Sequence, residues 1–269
     1  DMGMHYTSVP NIMKVMQPLF LDELYEEFEK AKGNVKKLNL LHLRLQNLKI
    51  FDPACGSGNF LIIAYKELRK LEMLIFKEGG LLISPSIKLT QFYGIELDDF
   101  AHEVAILSLW LAEHQMNVLF KKEFGTVPPA LPLQDGGNIV HGNATRLNWE
   151  EVCPKNDGDE IYILGNPPYL GARYQEKNHR EDLEYVLKKI NGYKRLDYIA
   201  CWFYKGSQFI ENFNASFAFV TTNSISQGEQ VVTFWPHLLN TNLEIFYAYT
   251  SFKWQNNAKS NAAVIVAII

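Results

Sequence analysis

An alternation of short apolar runs with helix-spaced stretches constrains this chain more than any other feature. The runs are LKIF (48–51), QFYGIEL (91–97), GNIVHGN (137–143), IYILG (161–165), SFAFVTT (216–222), LEIFYAY (243–249) and the terminal AAVIVAII. Between them the spacing predicts helices over 60–77, 99–120, 197–213 and 229–239. Strands joined by helical crossovers pair in parallel, and both faces of such a sheet must be covered. The expected fold is α/β, a doubly wound and mostly parallel sheet. Ahead of it, Ile12, Val15, Met16, Leu19, Phe20, Leu24 and Phe28 mark a helix from Asn11 to Lys32, with Gly33 as its stop, and 36–48 forms a second. The stretch 121–137, with its prolines and glycines, is the expected surface excursion.

With 269 residues, 47% of them apolar, the chain can bury one large core. A net charge of −4 argues against a protein coated in basic residues for non-specific nucleic-acid binding, yet leaves room for a local basic groove. Cys55, Cys153 and Cys201 are odd in number and far apart, which fits neither a zinc cluster nor a disulfide framework. A reducing cytoplasm is the natural setting. The longest apolar runs fall well short of a membrane span, and DMGMHYTSV lacks the blocks of a signal peptide. The chain lacks an initiator Met and stops inside an apolar run, so a fragment of a longer protein is expected.

In open α/β sheets, ligands lie beyond the carboxyl ends of the strands, where strand order reverses. The first strand runs into Asp52-Pro53-Ala54-Cys55-Gly56-Ser57-Gly58-Asn59. Gly56 and Gly58 let a ligand approach the main chain. The turn has neither GxGxxG nor GK[ST], holds no lysine for a phosphate, and its Asp52 would repel one. A cationic ligand suits it better, and S-adenosylmethionine carries an ammonium and a sulfonium. A plain strand-to-helix turn is the competing reading. The second strand ends at Glu96, placed to accept two ribose hydroxyls. The third ends at Gly142-Asn143-Ala144, where the Asn143 oxygen can accept from an adenine amino group.

The fourth strand, beside the first in a doubly wound sheet, ends in Asn166-Pro167-Pro168-Tyr169. A planar amine such as adenine N6 is a poor nucleophile because its lone pair is delocalised. Two acceptors taking its two hydrogens favour a pyramidal nitrogen. The Asn166 oxygen is one, and the Pro167 carbonyl, held by two prolines with fixed φ, is the other. Tyr169 can stack on the ring, worth roughly 1–3 kcal/mol.

FDPACGSGNFL, YGIELDD, GNAT and NPPY, in this order, resemble the amino-group DNA methyltransferases that use S-adenosylmethionine. The resemblance implies the seven-stranded class I methyltransferase sheet with N-terminal helices. It assigns Asp52, Pro53, Ala54, Gly56, Gly58, Asn59, Glu96, Leu97, Asn143 and Ala144 to the cofactor. HYTSVPNIMKVM (5–16) resembles the segment holding the cofactor's methionine part, with Tyr6 and Thr7 in contact. Between Gly58 and Asn166 there is room only for two strands and their helices, which looks like the gamma group of N6-adenine enzymes. The chain is similar to the methyltransferase portion of bifunctional type II restriction–modification enzymes. On that reading 1–50 is a helical segment with a cofactor motif and 51–269 the catalytic core. Nuclease and target-recognition domains would lie elsewhere in the parent polypeptide, and the substrate is double-stranded DNA with a flipped adenine. In such proteins a late loop supplies an aromatic to the base; in SFKWQNNAKSNAAVIV Trp254 is the first choice and Phe252 the second. YTS in place of YTP, and Asn143 where relatives carry Asp, depart from the family pattern.

Competing readings are methylation of RNA or of a protein glutamine, and a cofactor-binding scaffold without catalysis; the intact NPPY argues against the last. His102, Glu103, Glu113 and His114 lack HExxH spacing and are expected on a solvated or packing face, so no metal is assigned. The basic residues within 173–195 follow NPPY directly; mixed with acidic ones, they read either as a solvated loop and helix or, from their position, as a phosphate-contacting loop, the reading preferred here. The aromatics of 197–209 are expected in the core, and Asp197 receives no role.

Overall fold

A computed structural model describes residues 8–125, 136–239, 242–254 and 264–269. Helices α1 (Val9–Met16) and α2 (Asp22–Ala31) are joined by a π-helical turn at Gln17–Leu21. Pro18 lies in that turn, where its missing N–H and its ring displace the regular ladder. Helix α3 (Val35–Gln46) starts at Asn34, whose side chain accepts the Lys37 N–H. There follow β1 (Leu48–Asp52), α4 (Asn59–Lys77), β2 (Phe92–Glu96), α5 (Asp99–Phe124), β3 (Asn138–His141), the short α6 (Trp149–Val152) and β4 (Glu160–Gly165). The second half comprises α7 (Lys177–Leu187), α8 (Ala200–Ile210), β5 (Ala215–Thr222), α9 (Gly228–Leu239), β6 (Tyr249–Trp254) and β7 (Val264–Ile268).

Among the described residues seven strands form one sheet in the order β3-β2-β1-β4-β5-β7-β6. β1 pairs in parallel with both β2 and β4, so the order reverses there and a crevice opens at their carboxyl ends. β7 alone runs antiparallel to its neighbours, as expected of a mostly parallel sheet. All five residues of β1 are buried because apolar layers cover both faces. Ile50 joins one layer with Leu24, Leu41, Tyr65 and Phe92, while the next residue, Phe51, joins the other with Ile163, Phe203, Phe219 and Phe234. The N-terminal helices therefore share the first layer with the sheet. Arg44 ties them further, donating to Glu27 at 2.6 Å on α2 and to Glu160 at 2.7 Å on β4.

One expected strand is displaced. LEIFYAY was expected to pair over 243–249, but 243–248 form no regular element and the strand begins at Tyr249. Tyr249 already stands opposite Ile268, the last residue of β7, so the chain before it has no partner ladder. Ile245 and Phe246 are accordingly exposed. Among the described residues no helix is long and apolar enough to cross a membrane.

Candidate active site

The ends of β1, β2, β3 and β4 bring four of the expected motifs to one edge of the sheet. At β1, Gly56 (φ 54°) and Gly58 (φ 85°) take the left-handed conformation that a tight turn into α4 requires. The turn is closed by Gly58 N–H donating to Cys55 O at 2.8 Å, and Asn59 opens the helix. Asp52 lies wholly buried beneath it. Its Oδ1 accepts the Ala54 N–H at 3.0 Å, and its Oδ2 has no hydrogen-bond partner. Burial pushes this carboxyl up to about 8; the Ala54 N–H works against the shift and the Glu96 charge adds to it. Gly165, the last residue of β4, packs against the same carboxylate: its φ of 156° excludes most side chains, and a Cβ there would overlap Asp52 Oδ1.

Glu96 reaches across from β2. One carboxylate oxygen accepts the Gly56 N–H and the other the Asp98 N–H, each at 2.8 Å. Each oxygen keeps a lone pair, as binding two ribose hydroxyls would need. Leu97, beside it, is exposed. Asn143 departs from expectation. Its Oδ1 already accepts both the N–H of Thr145 (2.9 Å) and its hydroxyl (2.7 Å), while Nδ2 donates to Asp182 Oδ2 at 3.0 Å. With both lone pairs engaged, that oxygen cannot also accept from an adenine amino group, so Asn143 builds the turn. The oxygen's bond to an amide two residues on is an Asx turn, a local signal that Asn-Ala-Thr carried in the sequence. Ala144 is buried behind it, with its carbonyl accepting from Trp149 Nε1 at 2.9 Å.

At the end of β4 the Asn166 Oδ1 is buried and has no hydrogen-bond partner. Pro167 is buried, Pro168 exposed and Tyr169 half-buried. Burial, with the Asp197 charge, raises the Tyr169 hydroxyl above its usual range. Three residues that sequence reasoning missed hold this turn and the glycine turn. Asp197 Oδ1 accepts the Leu170 N–H at 2.8 Å, and Gln175 Nε2 donates to Leu170 O at 2.9 Å, so both backbone groups after Tyr169 are tied. Trp202, expected as core alone, also donates from Nε1 to Pro53 O at 3.1 Å, clamping α8 to the glycine turn. The Asp197 and Trp202 contacts cross 27 and 149 residues of chain, a separation without any local pattern.

β6 runs parallel to β5, two strands away, so its last residue, Trp254, ends at the catalytic edge. Its side chain, and Tyr6 and Thr7, lie outside the described residues. Phe252 instead packs on the first core layer, with Lys14 Nζ 4.5 Å from its ring centroid. His102 and Glu113 are half-buried on α5, with His102 Nε2 3.2 Å from Ile139 O, consistent with a packing face. In the basic stretch, Arg195 pairs with Glu229 and Lys177 with Glu181. Arg173, Arg180, Lys188 and Lys189 are exposed, with no ion partner among the described residues.

Residues 28–269 match the family described as "MmeI, DNA-methyltransferase domain". The chain belongs to that family. "DNA methyltransferase A" of Bacillus subtilis (strain 168) is 54% identical over 274 residues, a match covering 100% of this chain and 31% of that protein. The type IIL restriction-modification enzyme MmeI, solved in complex with DNA, superposes at a TM-score of 0.91 with 42% identity, over 98% of this chain and 36% of that one. The DrdV–DNA complex shares the fold at a TM-score of 0.56 and 16% identity, over 99% of this chain and 26% of that one. This MmeI-type domain thus spans about a third of the length of the first two relatives.

Proposed function

We propose that this MmeI-type domain transfers a methyl group from S-adenosylmethionine to adenine N6 in double-stranded DNA, as one part of a restriction–modification polypeptide. One observation carries the reading: the buried, unpartnered Oδ1 of Asn166 at the switch point, at the end of the strand paired with that of Asp52. Leaving such an acceptor unpaired costs about 1–3 kcal/mol, a cost recovered when a donor enters. Asn166 Oδ1 and the Pro167 carbonyl take the two amino hydrogens, so the nitrogen lone pair leaves the ring and becomes nucleophilic. The relatives' descriptions as DNA methyltransferase and as a restriction-modification enzyme bound to DNA support DNA as the substrate.

The residues at β1 and β2 fit the cofactor. Asp52 offers an unpartnered carboxylate oxygen, Glu96 two free lone pairs, and Gly56 and Gly58 an open approach to the main chain. When bound, the cofactor supplies a methyl group made electrophilic by its sulfonium. No general base of shifted pKa is needed, because the sulfonium supplies the driving force. Extruding the adenine costs a few kcal/mol, and stacking on Tyr169 returns roughly 1–3 kcal/mol. In this reading Trp254 covers the other face, and Arg173 and Arg180 meet phosphates. Residues 1–50 carry the cofactor motif with Tyr6 and Thr7, 51–269 form the catalytic core, and nuclease and recognition modules belong to the parent chain. The cytoplasm is the setting, consistent with the buried free thiols of Cys55, Cys153 and Cys201.

Nucleoside mass spectrometry on DNA from cells expressing the complete parent protein tests this, beside an Asn166→Ala control. The expected result is N6-methyladenine from the parent and little from the variant, with cofactor affinity retained by calorimetry. A folded, cofactor-bound parent that leaves DNA unmethylated would transfer the reading to RNA or a protein amide.

A further inference from the structure

Among the described residues, three buried side-chain oxygens have neither a hydrogen-bond partner nor an ion partner: Asp52 Oδ2, Asn166 Oδ1 and Asn223 Oδ1. They stand at the carboxyl ends of β1, β4 and β5, three consecutive strands of the sheet. Unsatisfied buried groups are rare enough that each calls for a reason. The first two belong to the site described above. Asn223 has no task yet.

Asn223 opens the turn after β5, and its Nδ2 donates to Ser251 Oγ at 2.9 Å on β6. Ser251 has a φ of 57° at the β6 irregularity, which gives this anchor a backbone form few residues adopt. The next residue, Ser224, lies near Asp197, the side chain that holds the Leu170 N–H, and opposes the rise that burial imposes on that carboxyl. The Asn223 turn thereby neighbours the exit of Asn166–Tyr169. Gly165 pairs with Phe219, so Asn223 stands three residues beyond the position opposite Asn166. At strand spacing that is about 10 Å further along the strand direction. It lies on the β5 side of β4, away from the strands that carry the cofactor residues.

The hydrogen-bond chemistry limits what can meet it. The Ser251 hydroxyl both gives and accepts, so turning the Asn223 amide over keeps that bond and exchanges its buried oxygen for an N–H donor. An adenine whose two amino hydrogens rest on Asn166 and Pro167 has no further N–H to give, and its remaining polar ring atoms are acceptor nitrogens. The geometry points to Asn223 as a third contact of the extruded base: its amide donates to a ring nitrogen of the adenine whose amino group Asn166 holds, with Ser251 fixing its place. This deepens the function proposed above and rests on it.

The test uses the complete parent protein and a duplex bearing its own methylation site. Asn223→Ala should lower single-turnover methylation about tenfold to a hundredfold, as loss of a hydrogen bond to a buried group does. The cofactor dissociation constant and the melting temperature should stay at wild-type values. Asn223→Asp, an acceptor when ionised, should do no better than alanine. Wild-type enzyme should also lose rate on one of three targets carrying 1-deaza-, 3-deaza- or 7-deazaadenine, and on that analogue Asn223→Ala should lose nothing more. Losses that multiply on all three analogues overturn the contact, as does an alanine variant with wild-type rate. A mismatch opposite the target cheapens extrusion; a deficit that persists there supports base contact, and one that vanishes assigns Asn223 to duplex opening and overturns it. A wild-type parent that never methylates adenine removes the earlier reading instead, so the two failures are distinguishable.

Discussion

Replacing Asp52 by asparagine isolates one buried charge. Burial raises this carboxyl from its ordinary 3.8 to about 8, the Ala54 N–H opposes that shift, and the Glu96 charge adds to it. The folded state therefore holds a proton that the unfolded chain has released. Because the folded pKa is the higher one, the stabilisation is complete below 3.8 and is lost as pH rises towards about 8. At about 1.4 kcal/mol per pH unit, the whole window amounts to about 5–6 kcal/mol. Asparagine does not titrate, and its oxygen can still accept the Ala54 N–H, so Asp52→Asn should lack this slope. The assay is urea unfolding of cofactor-free protein at half-unit steps from pH 5 to 8.5. The difference between wild type and variant should grow in the variant's favour by about 1.4 kcal/mol per unit between pH 5 and 7, then flatten near 8. Its offset includes about 1–3 kcal/mol for the buried amide N–H that replaces Oδ2. Parallel curves across the range would refute the buried proton. On the proposed function, saturating S-adenosylmethionine should flatten the wild-type curve as well, since a cation beside Oδ2 favours the ionised form.

Gly165→Ala should cost about 1–3 kcal/mol, because the new Cβ meets Asp52 Oδ1 at a φ of 156°; an unchanged denaturation midpoint would contradict the close packing of Gly165 on Asp52. Glu72→Ala should cost about 3–5 kcal/mol by taking from the buried Arg69 guanidinium its ion partner and by freeing the Ser86 N–H. Urea titration measures it, and a loss under 1 kcal/mol would mean that Glu72 does not hold the cluster.

The glycine turn, Glu96 and NPPY were legible because each is a local device. Positive φ at Gly56 and Gly58, a carboxylate at a strand end, and an amide before two prolines declare themselves within a few residues. The mostly parallel sheet, with its fourth strand beside the first, was legible for a similar reason, since alternating strands and helices leave few ways to wind it. LEIFYAY misled because its apolar content describes a strand but not whether a partner lies alongside. Asn143 misled in the opposite sense: its nearest donors, two residues on, claimed the oxygen that a ligand was expected to use.

The sequence alone determined which backbone angles were possible at the turns, which segments alternated, and which chemical groups stood at the strand ends. Only the tertiary structure decided what those groups meet. Folding left Asp52, Asn166 and Asn223 with buried oxygens unpaired, engaged Asn143 fully, and recruited Asp197, Gln175 and Trp202 to hold the turns. The physical reason is that a hydrogen bond forms between neighbours in space. The partners of Leu170 and Pro53 lie 27 and 149 residues along the chain, where no local propensity reaches.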